Sequence, residues 1–357
     1  MEIQIGKHII GNQRPTYFIA DVAANHDGSL ERAKQLIRLA AESGADAAKF
    51  QNFRAPEIVS DYGFKHLGGQ QSHQANWKKS VFEVYAGASI PFEWTPELKA
   101  ACDEAGIDYF SAPYDFEATD LLVPYSPAIK IGSGEVTWHE ALEYIARKGL
   151  PVLLATGASD IGEVAAAVRL ILALNPRLVL MQCNTNYTAS LENFRHVHLN
   201  VLKTYHAMWP ELILGLSDHT PGHAAVLGAV ALGARVIEKH FTDNNERVGP
   251  DHKFALNPKD WADMVHNTRQ LEPALGSADK FVAGNEQETV VLQRRCVRAA
   301  RSLAAGTVLT RADLKVLRPA PRGAIMPYDI PKLIGLGLLV DKAEGQEIHW
   351  GEVALPQ

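Results

Sequence analysis

The chain has little cysteine. Cys102, Cys183 and Cys296 are few, odd in number and far apart in 357 residues, so they offer neither a disulfide framework nor a thiolate zinc site. It also lacks a surplus of positive charge. The 35 lysines and arginines face 41 acidic residues, giving a formal net charge of −6. That balance excludes a nucleic-acid or membrane-surface role driven by net charge, but not a local basic pocket. No apolar run approaches the roughly 20 residues that span a bilayer, and Met1–Arg14 has no apolar core of the signal-peptide kind. The expectation is a cytoplasmic protein with neither nucleic acid nor membrane as partner.

What is present is an ordinary globular balance, 46% hydrophobic and 21% charged residues, enough for a normal core. Short, nearly continuous apolar runs predict strands at Tyr17–Ala23, Ala47–Phe53, Asp108–Tyr114, Ala128–Gly132, Pro151–Thr156, Leu178–Cys183, Leu212–Leu216 and Val236–Phe241, as for strands buried on both faces. Between them lie amphipathic segments. Leu30–Ser43 puts Ala33, Leu36, Ile37 and Ala40 on one face, and Pro96–Ala105, Ile161–Leu174 and Asp260–Leu271 read similarly. Eight strand-then-helix units predict an α/β fold of the (β/α)8 TIM-barrel type. The long stretch Arg54–Glu93 reads as an elaborated loop at the active-site end. The pattern breaks near Gly276. We expect a barrel over 1–276, a linker over 277–290 and a small second domain over 291–357.

In such a barrel the active site forms where the strands end, and polar residues gather there in this chain: Asp21, Lys49-Phe50-Gln51, Lys130-Ile131-Gly132-Ser133-Gly134-Glu135, Asn184-Thr185-Asn186-Tyr187, Ser217-Asp218-His219 and Glu238-Lys239-His240. Buried polar groups are costly unless paired or used, so a succession of them marks a site. His219 and His240 end adjacent strands. A lone strand-end histidine is most often a hydrogen-bonded core residue, whereas two imidazoles facing one cavity can hold a divalent ion with positions left open. Lys49 and Lys130 read either as an anion cage or as partners of Asp46, Glu135 or Glu238. Lys239 alternates with His240 and should point away from the lumen. Ser133 lies in a glycine-flanked turn that lets backbone approach a phosphate. Glu135 reads equally as an acid/base carboxylate or as a helix N-terminal charge.

With these motifs in hand, the chain resembles the sialic acid synthase family over nearly its whole length. The resemblance rests on Ala24-Asn25-His26-Asp27-Gly28-Ser29, Lys49-Phe50-Gln51, Lys130–Glu135, Gly215-Leu216-Ser217-Asp218-His219-Thr220, Glu238-Lys239-His240-Phe241-Thr242 and Gly249-Pro250-Asp251, with Leu317-Arg318-Pro319 similar to the antifreeze-like (SAF) domain. It implies a barrel with a C-terminal SAF domain in a domain-swapped homodimer. His219 and His240 match manganese ligands, with Mg2+ or Co2+ as alternatives. Lys49, Lys130, Ser133 and Ser217 match phosphoenolpyruvate-binding positions, and Tyr187 lies at the same end. Gln51, Asn76 and Asp251 match sugar contacts, Arg318 the arginine reaching in from the partner, and Glu135 the carboxylate that handles water. There are departures. Asp21 stands where a glutamate is usual. Ala112 and Ala155 replace hydroxyl residues, although Thr156 is adjacent. Signals for the pseudaminic and the neuraminic or legionaminic branches are mixed.

The implied activity is condensation of phosphoenolpyruvate with an open-chain N-acyl amino sugar (N-acetylmannosamine or a 2,4-diacetamido-trideoxyhexose), with release of phosphate. Two rivals are a Schiff-base pyruvate aldolase using Lys49 or Lys130 and an inactive sugar-binding barrel.

Overall fold

The computed structural model describes residues 1–68, 74 and 77–356. Among these, eight parallel strands form one sheet: β1 Tyr17–Asp21, β2 Ala47–Asn52, β3 Asp108–Pro113, β4 Ile129–Ile131, β5 Val152–Ala155, β6 Leu178–Cys183, β7 Ile213–Asp218 and β8 Ala234–His240. The order along the sheet is β3-β2-β1-β8-β7-β6-β5-β4. The two end strands lie side by side, and the Ser126 hydroxyl just before β4 donates to Tyr109 O of β3 at 3.3 Å. The sheet thus curls into a TIM-like near-barrel. Each of the eight strands agrees with its predicted range to within two residues at each end.

Alternation along each strand separates two cores. Phe18, Phe50, Tyr109, Leu154, Leu180 and Ile237 face outward to the helices. The helix Leu30–Glu42, capped by the Ser29 side chain, buries Ala33, Leu36, Ile37 and Ala40 against that layer. Tyr17, Ile19, Ala47, Phe110, Leu153, Val179, Ile213 and Val236 face the lumen. A hairpin that sequence reading did not anticipate, Glu2–Ile5 paired with His8–Gly11, adds Ile3, Ile5 and Ile10 to this second core. The lumen is therefore packed at the N-terminal end of the strands. The same parity, continued toward the strand ends, turns Asp21, Lys49, Gln51, Lys130, Cys183, Ser217, Glu238 and His240 inward.

The chain divides into two compact units, Met1–Gly276 and Ser277–Gln357. The second pairs Cys296–Ala299 with Leu314–Leu317 and Gly337–Leu338 with Val353–Ala354, around a core that includes Val297, Leu309, Ile325, Leu333 and Ile348. Within 277–290, Gly284–Glu286 forms a 3-10 turn that leads into the helix Gln287–Gln293. No helix among the described residues is long and apolar enough to cross a membrane.

Candidate active site at the mouth of the barrel

The floor of the site is a charge-balanced quartet. Lys49 Nζ lies 2.7 Å from Asp21 Oδ2 and 3.7 Å from Glu238 Oε1. Lys130 Nζ lies 3.2 Å from the same Glu238 oxygen, which also accepts the Ser217 hydroxyl at 3.1 Å. All five side chains are buried. Four charges persist in a lumen only when matched in this way. Burial opposes the Lys49 ammonium, but Asp21 and Glu238 hold it above its usual value. Burial likewise opposes ionisation of Glu238, yet Lys130 and Lys49 keep it below the usual carboxylate range. Glu238 Oε2 has no hydrogen-bond partner. Of the two sequence readings of these lysines, the salt-bridged one matches the observed pairing through Glu238, and Asp21 is a further partner of Lys49. Lys239 is separate. Its Nζ lies 2.6 Å from Asp218 Oδ2, a pair on the opposite parity from the quartet.

Above the quartet stand the two histidines, their ring centroids 5.4 Å apart. His219 Nδ1 lies 2.9 Å from Asn184 O and must donate to it, so the neutral ring carries its lone pair on Nε2. His240 Nε2 is 3.6 Å from Asp21 Oδ2, and its Nδ1 is buried without a partner. Burial, then the His219 and Lys49 charges, push His240 well below its usual pKa, so its imidazole is neutral. An orphaned nitrogen on a neutral ring beside a second imidazole fits a divalent ion. Among the described residues no three His, Cys, Asp or Glu side chains converge as a complete cage, so an ion held by this pair keeps open positions. Two neighbours escaped sequence reading. Phe254 packs edge-on against both rings, 6.1 Å from His219 and 4.9 Å from His240. The Cys183 sulfur lies 3.9 Å from His219 Nδ1. Against burial, His219 holds the Cys183 thiol down and Cys183 holds His219 up.

A cavity of about 520 Å³ opens over this floor, lined in part by Gln51, Ser133, Glu135, Tyr187, His240 and Asp251. The Tyr187 ring stands 4.4 Å from His219. Gly157 N donates to the Ser133 hydroxyl at 2.9 Å, tying the turns after β4 and β5 together. The turn after β5 is the tighter: a Cβ on Gly157 would overlap Thr185 Oγ1, whereas one on Gly132 would meet only the flexible Glu135 carboxylate at 2.5 Å. Burial raises the Glu135 carboxyl, while Lys130 pulls it back. Asp251 Oδ2 accepts Ala24 N at 3.2 Å, and burial, opposed by that bond, pushes its carboxyl up to about 6. Ala112 and Ala155 are buried at lumen parity, and the hydroxyls beside them do not substitute. Ser111 Oγ donates to Asn52 Oδ1 at 2.6 Å, and Thr156 Oγ1 bonds Met181 O and the Tyr205 hydroxyl, each at 2.9 Å. Both point to the outer layer. Asn76 lies outside the described residues. Arg318 belongs to the second unit, where its Nε donates to Gln293 O at 2.7 Å.

Residues 36–280 match the NeuB family and residues 294–354 match the SAF domain. The chain belongs to the NeuB family. It is 33% identical to the N,N'-diacetyllegionaminic acid synthase of Legionella pneumophila, over 96% of each chain. It is 32% identical to the human N-acetylneuraminate-9-phosphate synthase, over 95% of this chain and 93% of that one. Among solved structures, the N-acetylneuraminic acid synthetase of Leptospira borgpetersenii, in complex with citrate, superposes with a TM-score of 0.71 at 27% identity, covering 81% of this chain and 95% of that one. As a NeuB-family member with a SAF domain, the chain stands among synthases of sialic-type acids that match it along nearly their whole length.

Proposed function

We propose that this NeuB-family chain condenses phosphoenolpyruvate with an open-chain N-acyl amino sugar, forming a sialic-type acid and releasing phosphate. The observation that carries the reading is the cavity at the strand ends: His240, Ser133, Glu135 and Asp251 line it, His219 stands 5.4 Å from His240, and the quartet of Lys49 and Lys130 with Asp21 and Glu238 is buried beside His240. Lys49, Lys130, Ser133 and Ser217 bind phosphoenolpyruvate, and Tyr187 closes that end. His219 and His240 would hold a divalent ion, Mn2+ in this proposal, which when bound polarises the sugar's aldehyde oxygen. Gln51, Asn76 and Asp251 orient the sugar, and Arg318 of a domain-swapped partner contacts its N-acyl group. The enol carbon attacks the aldehyde carbon. The cationic carbon left behind takes water, from which Glu135 accepts a proton. Phosphate then leaves with cleavage of its carbon–oxygen bond. Asp21 balances Lys49 throughout. Holding two substrates in line contributes several kcal/mol at best.

The Schiff-base alternative is weakened by the quartet. A nucleophilic lysine needs a neutral amine of depressed pKa, whereas Lys49 is held as ammonium by two carboxylates. The test is phosphate release from phosphoenolpyruvate by metal-free protein, with and without Mn2+, across a panel of N-acyl amino sugars. Release that requires both metal and sugar is the expected result. A sugar-binding, metal-loaded protein that releases none would be the inactive binder, and borohydride trapping with pyruvate would revive the aldolase.

A further inference from the structure

One group of bonds beside the cavity serves no step of that chemistry. The loop 242–256 leaves β8 and carries two side chains to the site: Asp251 on the cavity wall and Phe254 against the two histidines. Its base is closed by Thr242 N, which donates to Leu256 O at 3.0 Å. Between those residues it has neither helix nor strand, so side chains must fix its course. His252, fully buried and next to Asp251 in sequence, is the centre of that fixing. Its Nδ1 lies 2.7 Å from Thr242 Oγ1, and its Nε2 lies 3.0 Å from Asp27 Oδ1 on the loop after β1. A Cβ on Gly249 would lie 2.6 Å from the same ring, so the imidazole is closely packed on that side as well. Asp27 meets two cations besides: its Oδ2 accepts from Arg247 of the long loop at 2.8 Å and lies 3.1 Å from Arg32 Nε. Burial opposes its ionisation, but His252 and Arg247 hold the Asp27 carboxyl below its usual range.

Resting on the sugar-orienting role proposed for Asp251, we infer that Asp27 and His252 are positioning residues: they clasp the loop 242–256 onto the loop after β1 and so fix the Asp251 carboxylate where the acceptor sugar binds. Asp251 turns to the cavity, where Ala24 N donates to its Oδ2 at 3.2 Å. Ala24 and Asp27 belong to one short turn, the 3-10 helix Ala23–His26 and its cap. The clasp and the Asp251 bond therefore close a ring of contacts between the two loops. The remaining bonds do not replace it. Arg32 pairs with Asp243 at 2.6 and 2.8 Å, but at the start of the loop, far from Asp251 along the chain. Asn245 Nδ2 donates to His252 O at 2.9 Å, which braces the loop only against itself. A group that orients a substrate is sensitive to displacements of an ångström, so slack at the clasp reaches the sugar. It does not reach Lys49, Lys130, Ser133 or Ser217, since none of them lies on either loop.

The experiment follows hydrogen exchange of the Ala24 amide in the substrate-free protein. Calorimetry on the Mn2+-loaded, full-length chain then measures binding of phosphoenolpyruvate, N-acetylmannosamine and 2,4-diacetamido-2,4,6-trideoxymannose. Asp27→Gly suits the left-handed backbone there, φ 50°, and removes only the side chain. It should speed Ala24 exchange by about tenfold or more, as loss of a charged hydrogen bond does. It should weaken the tighter-binding sugar by about tenfold or more, with phosphoenolpyruvate affinity unchanged. His252→Leu should do the same. Asp27→Asn, whose amide oxygen still accepts the His252 N–H, should recover most of both losses. In an Asp251→Ala background, Asp27→Gly should weaken the sugar no further. Ala24 exchange unmoved in both clasp variants, or raised equally across all the barrel strands, overturns the clasp. Sugar affinity that survives Asp27→Gly and His252→Leu but falls in Asp251→Ala overturns its positioning role. If Asp251→Ala itself leaves sugar binding intact, the reading of Asp251 fails, and Ala24 exchange still decides the clasp.

Discussion

Single side chains set the chemistry, and two carboxylates make the sharpest tests. Glu135 can accept a proton from water only when ionised, and burial raises its pKa despite Lys130. The acid limb of the kcat profile should therefore lie above the ordinary glutamate range. In Glu135→Gln that limb should vanish and kcat should fall by about 10²–10⁴-fold, the usual span for a general base, with KM for phosphoenolpyruvate held. Unchanged turnover would remove Glu135 from water activation. Asp251 makes a stability prediction. Its folded pKa, about 6, is above that of an unfolded aspartate, so the folded chain binds more protons between about pH 4 and pH 6. Its contribution is present at low pH and is lost as pH rises through that window. Asparagine can still accept the Ala24 amide, so Asp251→Asn should stabilise the protein at pH 7.5 by up to roughly 3 kcal/mol and hardly at all at pH 4, as read by urea denaturation, while weakening sugar binding. Equal effects at both pH values would contradict the raised carboxyl. At this scale the sequence showed the site in part. Lys49, Lys130, His219 and His240 stood out as polar ends of apolar runs. Glu238 was visible only as one candidate partner, because its place as hub depends on cross-strand register. Phe254 sits in a loop with no periodic signal, and Cys183 is missed by any search for paired cysteines.

Elements place these side chains, and the turns after β4 and β5 show how tightly. Gly157 is needed for room, since its Cβ would overlap Thr185 Oγ1 and lie 3.0 Å from Ser133 Oγ, while its amide holds that same serine. Gly157→Ala should raise KM for phosphoenolpyruvate by about tenfold or more, since misplacing a positioning group by an ångström is costly. Adding Thr185→Ala should recover part of the loss, and a double-mutant cycle without coupling would show that the collision is not the cause. The barrel strands were readable because burial on both faces makes them continuously apolar. The N-terminal hairpin was not: its first four-residue strand alternates Ile3 and Ile5 with polar residues, its second sets a buried Ile10 beside an exposed Ile9, and only packing against Tyr17, Phe110 and Met181 tells which isoleucines belong to the core. The same alternation explains why Thr156, next to Ala155 in sequence, cannot stand in for a lumen hydroxyl.

At the scale of the whole molecule, the proposal divides one active site between two chains, the barrel of one and Arg318 from the SAF domain of the other. That division has a consequence that no single-chain site shares. Glu135→Gln destroys the water-activating group in a barrel but leaves its own Arg318 intact. Arg318→Ala leaves the barrel intact but removes the arm it would lend. Each homodimer should be nearly inactive. When the two proteins are unfolded or dissociated together and reassembled at equal concentration, half of the dimers are mixed. In each mixed dimer one site combines an intact Glu135 with an intact Arg318, and the other lacks both. Recovered turnover should approach about a quarter of wild type, as isologous exchange requires. If Arg318 served its own barrel, every site would keep one lesion and mixing would restore nothing. If Arg318→Ala alone were fully active, the arginine would have no part in the acceptor site. Phosphate release measured before and after mixing, with mixed dimers counted by a size tag on one variant, separates these outcomes.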